Sequence, residues 1–171
     1  MLIRAKANKY LLIGLSYLLI FFVISQGVSW WKTRNAPTGN LSEFNVELMD
    51  GSQFIISELS GKPVLFHFWA TWCPLCDLQK GSVESIARDY PVVSVASWSE
   101  GEAEVKKYMR DNELTFPVML DDSGQLAESF GLKGVPTSFI LSPSGEIEYV
   151  EAGYTTEAGL RFRLWLSTLI K

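Results

Sequence analysis

The chain has 171 residues, including 15 Lys and Arg, 19 Asp and Glu, two cysteines and one histidine, a length that fits one domain plus an appendage. Charge is unevenly placed: residues 1–40 carry Arg4, Lys6, Lys9, Lys32 and Arg34 and no acid (+5), whereas residues 41–171 carry the other 10 cations and all 19 acids (−9). An acidic globular part argues against nucleic-acid binding, which needs a basic face, and two cysteines rule out a disulfide framework, leaving a domain of about 130 residues to hold its core without staples.

Residues 10–31, YLLIGLSYLLIFFVISQGVSWW, contain no charged side chain. At ~1.5 Å per residue such a run crosses the ~30 Å hydrocarbon core. Trp30 and Trp31 close it, where amphipathic rings favour the headgroup layer. Three cations precede the run and two follow it, which favours an N-terminus in the cytoplasm and the domain outside. The expectation is a cytoplasmic N-terminus and transmembrane signal-anchor over residues 1–31. A cleaved signal peptide competes with it, with Val23/Ser25 and Gly27/Ser29 as weak cleavage candidates. KTRNAPTGN, residues 32–40, then reads as a polar tether to a domain over residues 41–171.

Within the domain, FNVELMDGSQFIISEL forms two extended runs around Asp50-Gly51, a hairpin signal. KPVLFHFWA is apolar on both faces, with Val64, Phe66 and Phe68 alternating with Leu65, His67 and Trp69, the pattern of a central strand covered on both sides. CPLCDLQKGSVESIARDY follows as a helix with Pro74 in its first turn, an apolar stripe of Leu75, Val83, Ile86 and Tyr90, and a bend at Gly81. PVVSVASW is a second buried strand. Ser99 to Glu102 reads as a capping box opening a helix to about Asn112. FPVMLD is a strand, and Asp122 with Gln125 starts a short helix ending near Gly131. PTSFILSPSGEIEYVEAGY is a hairpin with a Ser-Pro-Ser-Gly turn, and the last helix is capped by Thr155 or Thr156. The fold class is α/β with a mixed sheet.

Both cysteines lie in FHFWATWCPLCDLQK, at a strand-to-helix junction. Cys73 falls at the N-cap and Cys76 one turn inside. Free N–H groups and the partial positive charge of a helix N-terminus stabilise a thiolate, lowering a thiol pKa from ~8.5 to ~3.5–7.5. Cys73 is therefore the nucleophile and Cys76 the resolving thiol. A closed zinc site needs four Cys or His ligands, and the chain has two Cys and one His. A Cu(I) ion on the two thiolates remains an alternative, a binding module rather than an enzyme.

FWATWCPLC resembles the active-site segment of the thioredoxin superfamily, in particular the membrane-anchored TlpA/DsbE-like thiol–disulfide oxidoreductases of bacterial envelopes, and GVPTSFILSPSGEI, residues 134–147, resembles their second landmark. The ending GYTTEAGLRFRLWL is similar to the suppressor-for-copper-sensitivity D type. The resemblance implies a thioredoxin fold over residues 41–171, with Cys73 attacking and Cys76 resolving. It implies that Pro136 is cis and shapes a substrate groove, that Val135 offers backbone hydrogen bonds to a partner peptide, and that Trp72 flanks Cys73 on a docking surface. It implies no organic cofactor and no metal. The implied partners are envelope proteins with thiols or disulfides and a membrane thiol donor, and the implied location is the bacterial inner membrane, single-pass, with the domain in the periplasm. The implied direction is reduction.

Two positions depart from that pattern. His67 stands six residues before Cys73, where such proteins carry Asp or Asn, and Gln79 stands three residues after Cys76, where Glu is common. His67 is read either as a proton shuttle for Cys76 or as a neutral core histidine. Asp77 and Lys80 are read as a solvated helix face.

Overall fold

A computed structural model of the protein describes residues 39–59 and 61–169, together with Ser16, Tyr17 and Ile20. The chain divides into Met1–Arg34 and Asn35–Lys171. Ser16, Tyr17 and Ile20 are helical, and the rest of the expected anchor lies outside the described residues. No helix among the described residues is long and apolar enough to cross a membrane.

The domain begins within the stretch read as a tether. Asn40 bridges to Glu146, Leu41 N–H donates to Gly145 O at 2.7 Å, and Ile147 N–H donates to Gly39 O at 3.0 Å. Gly145 is fixed here by sterics: its φ is +84°, and a Cβ would stand 2.8 Å from the Ser42 nitrogen. The hairpin β1 (Asn45–Glu47) and β2 (Gln53–Ile55) follows, with Val46 opposite Phe54 and Asp50 accepting from Ser52 N–H across the turn at 2.9 Å. A 3₁₀ turn, Ile56–Leu59, leads to the main sheet.

That sheet has five strands: β3 (Val64–Trp69), β4 (Val92–Ser97), β5 (Val118–Asp121), β6 (Thr137–Leu141) and β7 (Ile147–Ala152), in the order β5-β4-β3-β6-β7. β3 lies at the centre, parallel to β4 and antiparallel to β6, and all six of its residues are buried. Its alternation sorts them as expected. Val64, Phe66 and Phe68 join Val93, Val95, Phe139, Leu141 and Phe130 on one face. Phe66 and Phe68 pack edge-on at 5.1 Å between centroids, and such rings cost about 3–5 kcal/mol when truncated to Ala. Leu65 and Trp69 point to the other face, into the cluster that contains both cysteines, Val83, Ile86, Leu160 and Leu164.

That second face is covered by α1 (Pro74–Ala87) and α4 (Glu157–Leu169). The buried stripe of α1 is Cys76, Gln79, Val83 and Ile86. This corrects the expected stripe: Leu75 points outward, 46 % exposed, and Tyr90 lies beyond the helix end. Counting three or four residues back from Val83 reaches Gln79 and then Cys76, so a polar residue and a thiol occupy the face that apolarity alone assigned to Leu75. α1 is continuous through Gly81.

Two further caps differ from expectation. α2 (Glu102–Asp111) starts from Gly101 with no side-chain cap, because the Ser99 hydroxyl is drawn away, accepting from Thr71 N–H at 3.3 Å. α3 (Gln125–Ser129) is held by Asp121 rather than Asp122: its carboxylate accepts from Leu126 N–H and Ala127 N–H, each at 3.0 Å, and from the Ser97 hydroxyl at 2.8 Å. At α4 the Thr156 hydroxyl accepts from Gly159 N–H at 3.2 Å, the expected cap.

Candidate active site

The end of β3 runs through Ala70, Thr71 and Trp72 into α1. Cys73 has extended backbone (φ −90°, ψ 112°), so it is the N-cap, and Pro74 follows where a missing N–H costs nothing. The Cys73 sulfur accepts from Cys76 N–H at 3.1 Å and is bonded to the Cys76 sulfur, with the Cα atoms 5.2 Å apart. Two intervening residues on one helical turn are what bring the pair within bonding reach. The pair is almost closed to solvent, Cys73 at 5 % exposure and Cys76 at 3 %.

Opposite the disulfide lies the loop entering β6. The Val135–Pro136 peptide is cis, as the GVPT context suggested, and Val135 O lies 3.5 Å from the Cys73 sulfur. Pro136 is buried, and its carbonyl accepts from Gly153 N–H at 2.8 Å. That bond brings the end of β7 to the site. The next two residues are the exposed Tyr154 and Thr155, whose N–H meets Gln79 Oε1 at 3.4 Å. Trp72, Leu75 and Tyr154 thus present apolar surface beside a buried disulfide. Tyr154 was not singled out from sequence, since only strand pairing carries it next to Pro136.

The structure gathers Trp72, Cys73, Pro74, Cys76, Val135 and Pro136 into one site. His67 is set behind it, on the β3 face that α1 covers. In register it is flanked by Ser94 on β4 and Ser138 on β6, both buried. Nδ1 is 2.9 Å from the Ser138 hydroxyl. Burial pushes its pKa down to about 4, because an imidazolium here would be charged in an apolar layer. A base that weak is a poor acceptor for a thiol proton, which is consistent with a neutral core histidine. Ser138 was invisible in the sequence, where TSFIL reads only as a strand.

Gln79 is fully buried on the same face of α1, and its Nε2 has no partner among the described residues. An amide at this position carries no charge at any pH. Asp77 and Lys80 do more than face solvent. They pair with one another, Lys80 also donates to the Asn112 side chain, and Tyr108 OH donates to Asp77 at 3.1 Å, tying α1 to α2. Lys80 and the tyrosine hydroxyl hold the Asp77 carboxyl below its usual range. Among the described residues no cluster of three His, Cys, Asp or Glu is placed to hold a metal ion.

Residues 37–150 match the AhpC/TSA family. The chain is 33 % identical over 164 residues to a thioredoxin-like protein of Haemophilus influenzae, spanning 95 % of this chain and 97 % of that one. It is 33 % identical over 166 residues to the thiol-disulfide oxidoreductase ResA of Oceanobacillus iheyensis, spanning 90 % and 86 %. Its fold superposes on StoA from Bacillus subtilis with a TM-score of 0.61 at 29 % identity, over 70 % of this chain and 93 % of StoA. With the Cys73–Cys76 disulfide at the mouth of a thioredoxin fold, the chain belongs to the AhpC/TSA family and is a thioredoxin-like thiol–disulfide oxidoreductase of the ResA and StoA kind.

Proposed function

We propose that this enzyme is tethered to the bacterial inner membrane by residues 10–31, faces the periplasm, and reduces disulfides in envelope proteins. The observation that carries the reading is the Cys73 sulfur at the N-cap of α1, held by Cys76 N–H, 3.5 Å from the Val135 carbonyl and beside exposed Trp72. In the reduced enzyme the same N–H and the helix N-terminus stabilise a Cys73 thiolate. The thiolate attacks one sulfur of a substrate disulfide, forming a Cys73–substrate bond and releasing the other sulfur as thiolate. Cys76, losing its proton, then attacks the Cys73 sulfur and frees the second substrate sulfur. Two electrons have passed from the dithiol to the substrate, and a membrane dithiol donor restores the pair. Val135 offers backbone to an extended partner segment, with Pro136 shaping the floor and Trp72 the wall of its groove.

Support for the direction comes from what stabilises the sulfur. A strong oxidant over-stabilises its reduced form. Here Pro74 and Leu75 contribute neither charge nor a side-chain donor, and among the described residues the sulfur's hydrogen bond comes from a backbone N–H alone. A backbone N–H and a helix N-terminus are milder stabilisers of a thiolate than a charged neighbour, which supports a reductant rather than a strong oxidant. The ending GYTTEAGLRFRLWL supports placement near the suppressor-for-copper-sensitivity D type. The test is the redox state in cells, read by maleimide trapping. A mostly reduced pair that becomes oxidised when the membrane donor is removed is expected. An oxidised pair with the donor present, and a potential near ~−120 mV, would reverse the direction.

A further inference from the structure

Trp72 presents a contradiction. It is the residue before the nucleophile and 59 % exposed, so water could satisfy its indole N–H at no cost. Instead Nε1 donates to the Trp98 carbonyl at 2.8 Å, which fixes a large exposed ring in one orientation. One residue earlier, Thr71 N–H donates to the Ser99 hydroxyl. Residues 98 and 99 therefore grip the two residues immediately before Cys73.

The carbonyl that receives Trp72 is aimed by strained backbone. Trp98 has φ +52°, a region that bulky side chains rarely enter. Three features hold it there. Its N–H donates to Asp121 O at 3.1 Å, extending the β4–β5 ladder. Asp121 locks the start of α3 to Ser97. Above all, its indole closes on Gly124, where a Cβ would stand 1.8 Å from Trp98 Nε1 and 2.5 Å from Cδ1. Only glycine gives the ring that seat. Strain of this kind persists where the surroundings over-determine it, and here they over-determine the direction of one carbonyl beside the active site.

We propose that the Trp98–Gly124 stack is a positioning device that sets the orientation of Trp72, and through it the enzyme's preference for polypeptide disulfides over small ones. This rests on the reading of the protein as a disulfide reductase. Interface energy concentrates in rigid aromatic anchors, because a side chain already ordered loses little entropy on binding. A pinned Trp72 is such an anchor for a polypeptide docking at Cys73, whereas a small disulfide needs only the sulfur. Trp98 acts through Trp72 and need touch no substrate.

The experiment uses the full chain and two substrates, insulin and oxidised glutathione, with the reduction potential measured for each variant. Trp98→Asn tolerates positive φ but removes the ring, and should lower the ratio of insulin rate to glutathione rate by about tenfold, equal to ~1.4 kcal/mol. The potential should stay where it is, since the Cys73–Cys76 environment is unaltered. Trp72→Phe should lower the ratio similarly, and Trp98→Asn added to Trp72→Phe should lower it no further, because both act through one ring. Gly124→Ala approaches from beneath by displacing the indole, and should reproduce the effect if Trp98→Asn does not fold. Independent, additive losses from Trp98 and Trp72, or equal losses on both substrates, would overturn the proposal while leaving the reductase reading intact. A wild-type protein that reduces neither substrate would overturn both.

Discussion

Lowering the pH should destabilise this protein through His67, because burial depresses its imidazole pKa. His67 is buried between two strand neighbours and held neutral, with a pKa of about 4 against 6.5 for a free imidazole. The groups facing it are the Ser94 and Ser138 hydroxyls. Across the sheet, Glu151 is in register with Ser138 and paired with Arg163 Nε at 2.6 Å. Among the described residues, no acid hydrogen-bonds or ion-pairs with His67, whose partner is the Ser138 hydroxyl. The folded pKa is the depressed one, so between pH 6.5 and 4 the unfolded chain binds a proton that the folded chain refuses. Stability therefore falls as pH falls through that window, and is unaffected by His67 above it. The full shift corresponds to about 3 kcal/mol, and at pH 5 about 2 kcal/mol of it is already lost relative to pH 7. Paired carboxylates such as Asp77 and Glu157, both held below their usual range by hydrogen-bonding partners, also lose stability in acid. The informative quantity is thus a difference of differences. Urea unfolding of wild type and His67→Asn at pH 7 and pH 5, followed by tryptophan fluorescence, should show wild type losing about 2 kcal/mol more than the variant. The same variant should keep its exchange activity, with a pH–rate profile of unchanged shape, because a core histidine carries no catalytic proton. Equal acid sensitivity of the two proteins would refute the burial argument. An activity loss confined to substrate release and varying near pH 6.5 would restore the shuttle.

Cys76→Ser should accumulate mixed disulfides through Cys73, seen as reductant-sensitive bands on a non-reducing gel, while Cys73→Ser should accumulate far fewer. Equal trapping would cancel the assignment of nucleophile and resolving thiol. Asp121→Ala leaves two α3 N–H groups and the Ser97 hydroxyl without their acceptor, and should cost about 3 kcal/mol in chemical denaturation. A loss within ~0.5 kcal/mol, typical of a surface change, would show that the cap is dispensable.

Periodicity and local chemistry settled much of this molecule before any folding was considered. Two-residue alternation in VLFHFW named β3 as the central strand and sorted its side chains to the correct faces. The spacing of Cys73 and Cys76 at a strand-to-helix junction named the redox pair, and Pro74 marked the helix start. Such features depend on neighbours within one turn or one pleat, so they are written locally. What failed was also systematic. Leu75 outranked Gln79 as a core residue by hydropathy, yet helix geometry aims position 79 inward and position 75 outward. Ser99 and Asp122 had the right chemistry to cap the helices that follow them, yet Ser99 was taken by Thr71, and the first turn of α3 donates to Asp121 instead. Each outcome is a competition among donors and acceptors that meet only after β3, β4 and β5 have paired. The same holds for Ser138 beside His67, for Val135 O across from Cys73, for Tyr154 beside Pro136, and for the indole of Trp98 resting on Gly124. Among the hydrogen-bonded pairs, 71 residues separate His67 from Ser138, 62 separate Cys73 from Val135 and 26 separate Trp72 from Trp98. No local pattern encodes such distances, because they are set by which strands become neighbours in the sheet.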